Sequence, residues 1–305
     1  MGRPMITHEN TRDILRVSRD ILQRLHWLDT PYGRFPSKPG DGGDDCLWNG
    51  LLSSVGWMPS VDAVGASQAR MPSEARFGMF YRNPLRRSND NVGHPAFFSR
   101  DMATGVLAWL ASGFGDYFAA HSWQKYWESQ EFCVIKKPWP FKGCLVSGYR
   151  FAPDDRSVIT PKMFALLGRV WKHRGWPTTA QMDRFKGSDN DYDVIETRVC
   201  DIGYQLHLHA CDAWIKRIMG QSHEYSDKVA NICFDRSPTN LFYKLLAQGE
   251  SHPRDVESWL ELCSLAPQGE FGKSWIWEKE DRIESIPDAC GWDLFFMAKL
   301  LMKLG

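Results

Sequence analysis

The stretch Asp29-Thr-Pro-Tyr-Gly-Arg-Phe-Pro-Ser-Lys-Pro-Gly-Asp-Gly-Gly-Asp-Asp45 runs directly into Cys46-Leu-Trp-Asn-Gly-Leu-Leu-Ser-Ser-Val-Gly-Trp57. In the first half, prolines and glycines forbid a helix, and the loop they make is rich in aromatic and acidic side chains. The second half is apolar on most sides, and Asp44 and Asp45 stand where a helix start would want a capping carboxylate. An elaborated loop opening a helix with no polar face predicts an inner helix entered from a functional rim.

The surrounding sequence repeats that pattern. From Asn10 to Leu28 the residues Ile14, Leu15, Val17, Ile21, Leu22, Leu25 and Leu28 recur at helical spacing among charges, which predicts an amphipathic outer helix. Met102 to Ala111 is again apolar nearly all round and follows a long polar loop. Further helices are expected over 60–70, 117–130, 161–171, 178–185, 194–219, 226–234, 239–247, 254–265 and 288–304. The runs Phe132 to Ile135 and Cys144 to Phe151 predict a small β-hairpin. Long loops then fall near 30–45, 73–99, 131–159, 187–195, 234–238 and 267–287, with short turns near 58, 113, 175, 221 and 251. Helices joined alternately by long and short connections are stacked αα-hairpins, with every long loop on one face. The expected fold is all-α dominated, an (α/α)6 toroid of about six hairpins forming one domain over residues 1–305.

Composition narrows the function classes. The 14 Trp, 17 Phe and 9 Tyr exceed ordinary usage and call for a large core or a ligand-facing surface. Lys plus Arg and Asp plus Glu balance at 37 each, so no overall field draws the chain to nucleic acid or to an anionic membrane. The first residues lack the apolar stretch of a signal peptide, and 18 consecutive apolar residues occur nowhere. The expectation is a soluble protein made in the cytoplasm, without membrane insertion, whose release by lysis or within a virion stays open. Eight cysteines stand singly, with no CxxC pair, as reduced core residues would. GxGxxG and phosphate-loop motifs are absent, and no cofactor is expected.

Three loops concentrate chemistry. In Gly40-Asp-Gly-Gly-Asp-Asp45, one carboxylate caps the helix while another faces a cleft as an acid or base, with Trp48 in the first turn. Capping alone explains these residues equally well, and a calcium loop lacks its DxDxDG order. The loop Gly78-Met-Phe-Tyr-Arg-Asn-Pro-Leu-Arg-Arg-Ser-Asn-Asp-Asn-Val-Gly-His-Pro-Ala-Phe-Phe-Ser-Arg-Asp101 gathers Tyr81, Arg82, Arg86, Asn91, His94, Arg100 and Asp101. Ser99-Arg100-Asp101 opens an inner helix as Asp44-Asp45 does, which brings Asp101 and Asp45 to one rim. Paired carboxylates divide into acid and base when their surroundings separate their pKa values. In Phe271-Gly-Lys-Ser-Trp-Ile-Trp-Glu-Lys-Glu-Asp281, Trp275 and Trp277 alternate as on an exposed strand, with Glu278 following. Aromatic faces beside carboxylates suit sugar rings, although a Trp packed inward is as natural. His207 and Cys211, four apart on a helix, offer two zinc ligands and no more, and Asp189, Asp191 and Asp193 alternate in what reads as a solvated loop; no metal is expected.

Through its loop rhythm, and locally through Gly-Asp-Gly-Gly-Asp-Asp, Ser-Arg-Asp and Gly291-Trp292-Asp293 at helix starts, the chain resembles the six-hairpin (α/α)6 carbohydrate enzymes. That superfamily includes glucoamylase-like hydrolases, unsaturated glucuronyl hydrolases and several polysaccharide lyases. The resemblance implies an active cleft at the long-loop end and carboxylate chemistry on an oligo- or polysaccharide. As a glycoside hydrolase, the chain would use Asp45 and Asp101, with Asp44 beside them, as acid and base, and Trp48, Trp275, Trp277 and Glu278 to hold sugar. As a lyase, Arg82, Arg86, Asn91 and Arg100 would neutralise a uronate while Tyr81 or His94 moves the proton. A non-catalytic glycan-binding or assembly protein is the third reading.

Overall fold

The computed structural model describes residues 6–40, 43–59, 62–88, 96–138, 142–154, 158–220, 224–280 and 282–305, and of 189–192 only the backbone. The chain opens with α1 (His8–Arg24), the strands β1 (Trp27–Thr30) and β2 (Gly33–Pro36), α2 (Asp45–Ser54), α3 (Ala63–Ala66) and α4 (Pro84–Ser88). It continues through α5 (Arg100–Ala111), α6 (Tyr117–Glu128), β3 (Glu131–Lys136), β4 (Cys144–Tyr149), α7 (Pro161–His173) and α8 (Ala180–Arg184). The last part holds α9 (Asp189–Val199), α10 (Tyr204–Ile218), α11 (Glu224–Arg236), α12 (Leu241–Gln248), α13 (Pro253–Leu265), α14 (Arg282–Ser285) and α15 (Trp292–Leu304). The fold is therefore helix-dominated, with two antiparallel two-stranded hairpins, β1–β2 and β3–β4.

Burial separates inner helices from outer ones. Every residue of α2 is buried, as is α5 from Met102 to Ala111, because neither sequence carries a polar stripe to turn toward water. By contrast, α1 buries only Ile14, Ser18 and Ile21. Thr7 caps it, accepting from the Asn10 amide at 3.1 Å. The two inner helices meet through glycine: a Cβ on Gly50 would lie 1.9 Å from the Gly105 carbonyl oxygen, and one on Gly105 would lie 2.1 Å from that of Cys46. Outside this pair, α5 packs on α7 and α10, α10 on α11 and α12, and α12 on α15, which α1 and α13 cover. The surplus aromatic residues are spent inside, where Trp109, Trp123, Trp127, Trp171, Trp214 and Trp292 are almost wholly enclosed.

Four sequence expectations change. The single helix expected over 194–219 is two, α9 and α10, broken where Gly203 adopts φ 105°. A Cβ there would press to 3.2 Å from the Glu278 carbonyl oxygen, so glycine also allows the α10 start to approach the last long loop. The loop expected over 187–195 is largely α9, which leaves only 200–203 and 237–240 as the fourth and fifth connections, short where long ones were expected. The outer helix expected over 60–70 shrinks to α3, held by Asp62, which accepts from the Gly65 amide at 3.0 Å and from Trp109 Nε1 at 3.0 Å. Finally, not all cysteines are free thiols. The expected hairpin forms as β3 and β4, and pairing brings Cys133 and Cys144 to a Cα separation of 5.5 Å in a disulfide. No helix among the described residues is long and apolar enough to cross a membrane.

Candidate functional site

The starts of several inner helices meet at one place, and Arg82 joins the first two. Its Nε donates to the Ala96 carbonyl at 3.0 Å, Nη1 to the Gly43 carbonyl at 2.9 Å and the Asp44 carboxylate at 3.1 Å, and Nη2 to the Ser99 hydroxyl at 3.2 Å. Asp44 and Ser99 occupy the N-cap positions of α2 and α5, yet neither side chain caps its own helix. Both are turned to the guanidinium, so the two helix starts are fixed to one planar group. Lys38 lies 3.7 Å from the other Asp44 oxygen. Asp45, one position on and therefore turned by about 100°, is buried, with the Ser37 hydroxyl 3.4 Å from its carboxylate.

The α10 start completes the rim. The Tyr204 hydroxyl donates to the Asp101 carboxylate, and burial, followed by the charge of Asp101, drives the Tyr204 phenol well above its usual range. The charges of Asp44 and Glu278 add to that effect. The Glu278 carboxyl is pushed up to about 7 by burial, with Lys38 opposing and Asp44 reinforcing the shift. Behind it, the Asp293 carboxyl is likewise raised to about 7 by burial, although it accepts from the Ile276 amide at 2.7 Å and the Leu294 amide at 2.7 Å.

Asp101 and Tyr204 also form one lip of a polar cavity of about 720 Å³ between α5, α7, α9 and α10. At its floor the Lys162 ammonium lies 2.6 Å from Asp193 Oδ1, 3.1 Å from Asp212 Oδ2 and 3.0 Å from His209 Nδ1. Lys216 holds the other Asp193 oxygen at 2.6 Å. Among the described residues, Asp193, Glu196 and His209 alone present a metal-like ligand set, their donor atoms within 4.8 Å of one another, and the cation beside them is the Lys162 ammonium.

The structure redistributes the residues singled out in the sequence. The charges of Asp44, Asp101 and Glu278 all bear on Tyr204, and Arg100 is exposed at the cavity wall. Asp45 is enclosed, and the more exposed carboxylate of that pair is Asp44. Arg82 spends four N–H groups on the protein and is a structural clamp. Arg86 is buried and stacks its guanidinium over Phe97 at 5.0 Å; Tyr81 is buried, edge-on to the same ring. The sugar platform expected of Trp48, Trp275 and Trp277 is corrected as well. Trp48 stacks on Trp292 at 5.7 Å and lies 6.3 Å from Trp275, while Trp277 donates to the Asp293 carbonyl at 3.0 Å, and all three rings are covered by protein. A 3-10 turn over Ile276–Glu278, in place of a strand, turns both indoles inward. His207 and Cys211 touch at 3.4 Å within the core. Asn91 and His94 lie outside the described residues.

Lys38, Tyr204, Lys162 and Asp212 were not singled out from the sequence. A helix read straight through Gly203 hides the fact that Tyr204 opens one. Lys162 had a legible signal, being a charge in the first turn, after Pro161 and ahead of the apolar run Met163 to Leu167. No family model, curated protein or solved structure matches this chain.

Proposed function

We propose that the chain is a glycan-cleaving enzyme, a glycoside hydrolase in which Glu278 is the proton donor and Asp101 the ionised partner. One observation supports this reading: Tyr204, at the mouth of a polar cavity, donates to Asp101 and feels the charge of Glu278, whose own carboxyl is raised by burial to about 7. Asp44, held by Arg82 and Lys38, supplies the fixed negative charge that helps Glu278 stay protonated. The architecture we infer is an (α/α)6 toroid with α2, α5, α7, α10, α12 and α15 inside. Contacts among the helix starts support it. Arg82 links α2 to α5, Tyr204 links α5 to α10, the shared cavity links α5 to α7, and Asn240 at the α12 start donates to the Trp277 carbonyl at 3.2 Å. Such a ring is collapsed, since Trp214 of α10 reaches across to the Ser54 hydroxyl of α2 at 2.7 Å.

A lyase acting on uronates is favoured less, because Arg82 and Arg86 are committed to the protein and a phenol raised as Tyr204 is makes a poor base. A non-catalytic interface protein draws its support from the β3–β4 hairpin, where Val134, Ile135, Leu145 and Val146 are exposed.

The test is a screen of the purified protein against neutral and acidic polysaccharides, following reducing ends and ultraviolet absorbance together. Reducing ends alone are expected. Asp101→Asn and Glu278→Gln should each lower kcat at least about 100-fold, and the loss of rate above about pH 7 in the wild type should vanish in Glu278→Gln. Ultraviolet absorbance rising with the ends would replace the hydrolase with a lyase, and silence on both would leave the interface reading.

A further inference from the structure

We propose that the cavity floor of Asp212 and His209, organised by Lys162, is a subsite for an uncharged unit of a saccharide chain and recognises it through neighbouring hydroxyls. The inference rests on the hydrolase reading and adds to it a substrate class.

The argument begins with proton positions. An ammonium can only donate, so His209 Nδ1 accepts from Lys162 at 3.0 Å and the ring proton resides on Nε2. His209 lines the cavity and therefore offers a donor there. Asp212 uses Oδ2 on Lys162 at 3.1 Å, while Oδ1 is enclosed and has no hydrogen-bond partner among the described residues. The Asp212 side chain is only 7% exposed and also lines the cavity. A buried carboxylate oxygen without a donor is costly, and a ligand entering the cavity relieves that cost. One donor beside one acceptor fits a pair of hydroxyls, each of which both gives and takes a hydrogen bond.

Charge excludes the acidic alternative. Within the floor network Lys162 and Lys216 offset Asp193 and Asp212. The walls add Arg100, Asp101 and Glu196, an excess of one negative charge. A uronate carboxylate seated on the floor would come to rest against Asp212, whose cation Lys162 is already shared with Asp193, a repulsive placement.

The experiment is calorimetric titration of the wild type with D-glucose, D-galactose, N-acetyl-D-glucosamine, maltose and D-glucuronate, repeated with Asp212→Asn and His209→Gln after circular dichroism confirms folding. At least one neutral probe should bind and glucuronate should not. Affinity should fall about tenfold or more in each variant. If Asp212→Asn does not fold, His209→Gln alone decides. Binding unchanged by the substitutions, binding of glucuronate in preference, or no binding by any neutral probe would overturn the proposal. The two readings separate cleanly, because this titration needs no turnover. Neutral binding lost in the variants, with no polysaccharide ever cut, would sink the hydrolase and keep the subsite, while cutting with binding indifferent to both substitutions would do the reverse.

Discussion

Two seams in this molecule join inner helices by opposite means. Between α2 and α5 no side chain intervenes: Gly50 and Gly105 bring backbone against backbone, and a single methyl would stand 1.9 Å from a carbonyl oxygen. Between α7, α9 and α10 the interior holds Lys162, Asp193, Asp212 and Lys216, charges that pay their desolvation only by pairing with one another. The first seam is geometric and indifferent to pH, and the second is electrostatic. The comparison teaches that the acidic rim and the cavity beside it, although they share Asp101 and Tyr204, should fail under different insults.

The largest effect is expected from Gly105→Ala, whose Cβ meets backbone that has nowhere to move. A loss of about 5 kcal/mol, or failure to fold, should appear in urea denaturation, and wild-type stability would show that the seam opens freely. Next comes Lys162→Met, which leaves the buried Asp212 without its paired cation and should cost about 3–4 kcal/mol. Pairing it with Asp212→Leu should restore much of that, because a buried anion is removed along with the cation, and no recovery would mean the charges do not act as one unit. Smaller is the pH effect of His209. Burial, with Lys162 second, lowers its pKa from 6.5 to about 4. Between those values the unfolded chain binds the proton that the folded one refuses, so stability falls as pH drops from 6.5 to 4. His209→Gln should flatten that slope by on the order of 1–3 kcal/mol, and an unchanged slope would place the titration elsewhere. Least of all, Cys133→Ser with Cys144→Ser should shift the global midpoint by under about 1 kcal/mol while raising hydrogen exchange within β3 and β4, since that hairpin stands outside both seams.

Much of this architecture was legible. The runs of α2, α5 and α15 are apolar on most sides and had to be inside, whereas α7 carries Lys162, Arg169, Lys172 and His173 on one face and buries the other, and the loops before α2, α5 and α15 stood out by composition. The charges of Asp44, Asp101 and Glu278, drawn from three loops far apart in sequence, all bear on Tyr204. What escaped were matters of direction. Periodicity does not tell which of Asp44 and Asp45 faces outward, because one step along a helix rotates a side chain by about 100°. It does not tell whether Trp275 and Trp277 form a strand or a tight turn, and the turn buried both. Nor does it register a break as short as 200–203, where the backbone conformation of one glycine created the helix start that carries Tyr204.

Arg82 carries a consequence for how such a protein can change. The position of Asp44 and the orientation of Ser99, two residues before Asp101, both depend on one guanidinium whose donors lie in a single plane. A lineage that loses Arg82, even to lysine, must re-seat two helix starts together, so the acids flanking it drift as a pair and the rim is inherited whole.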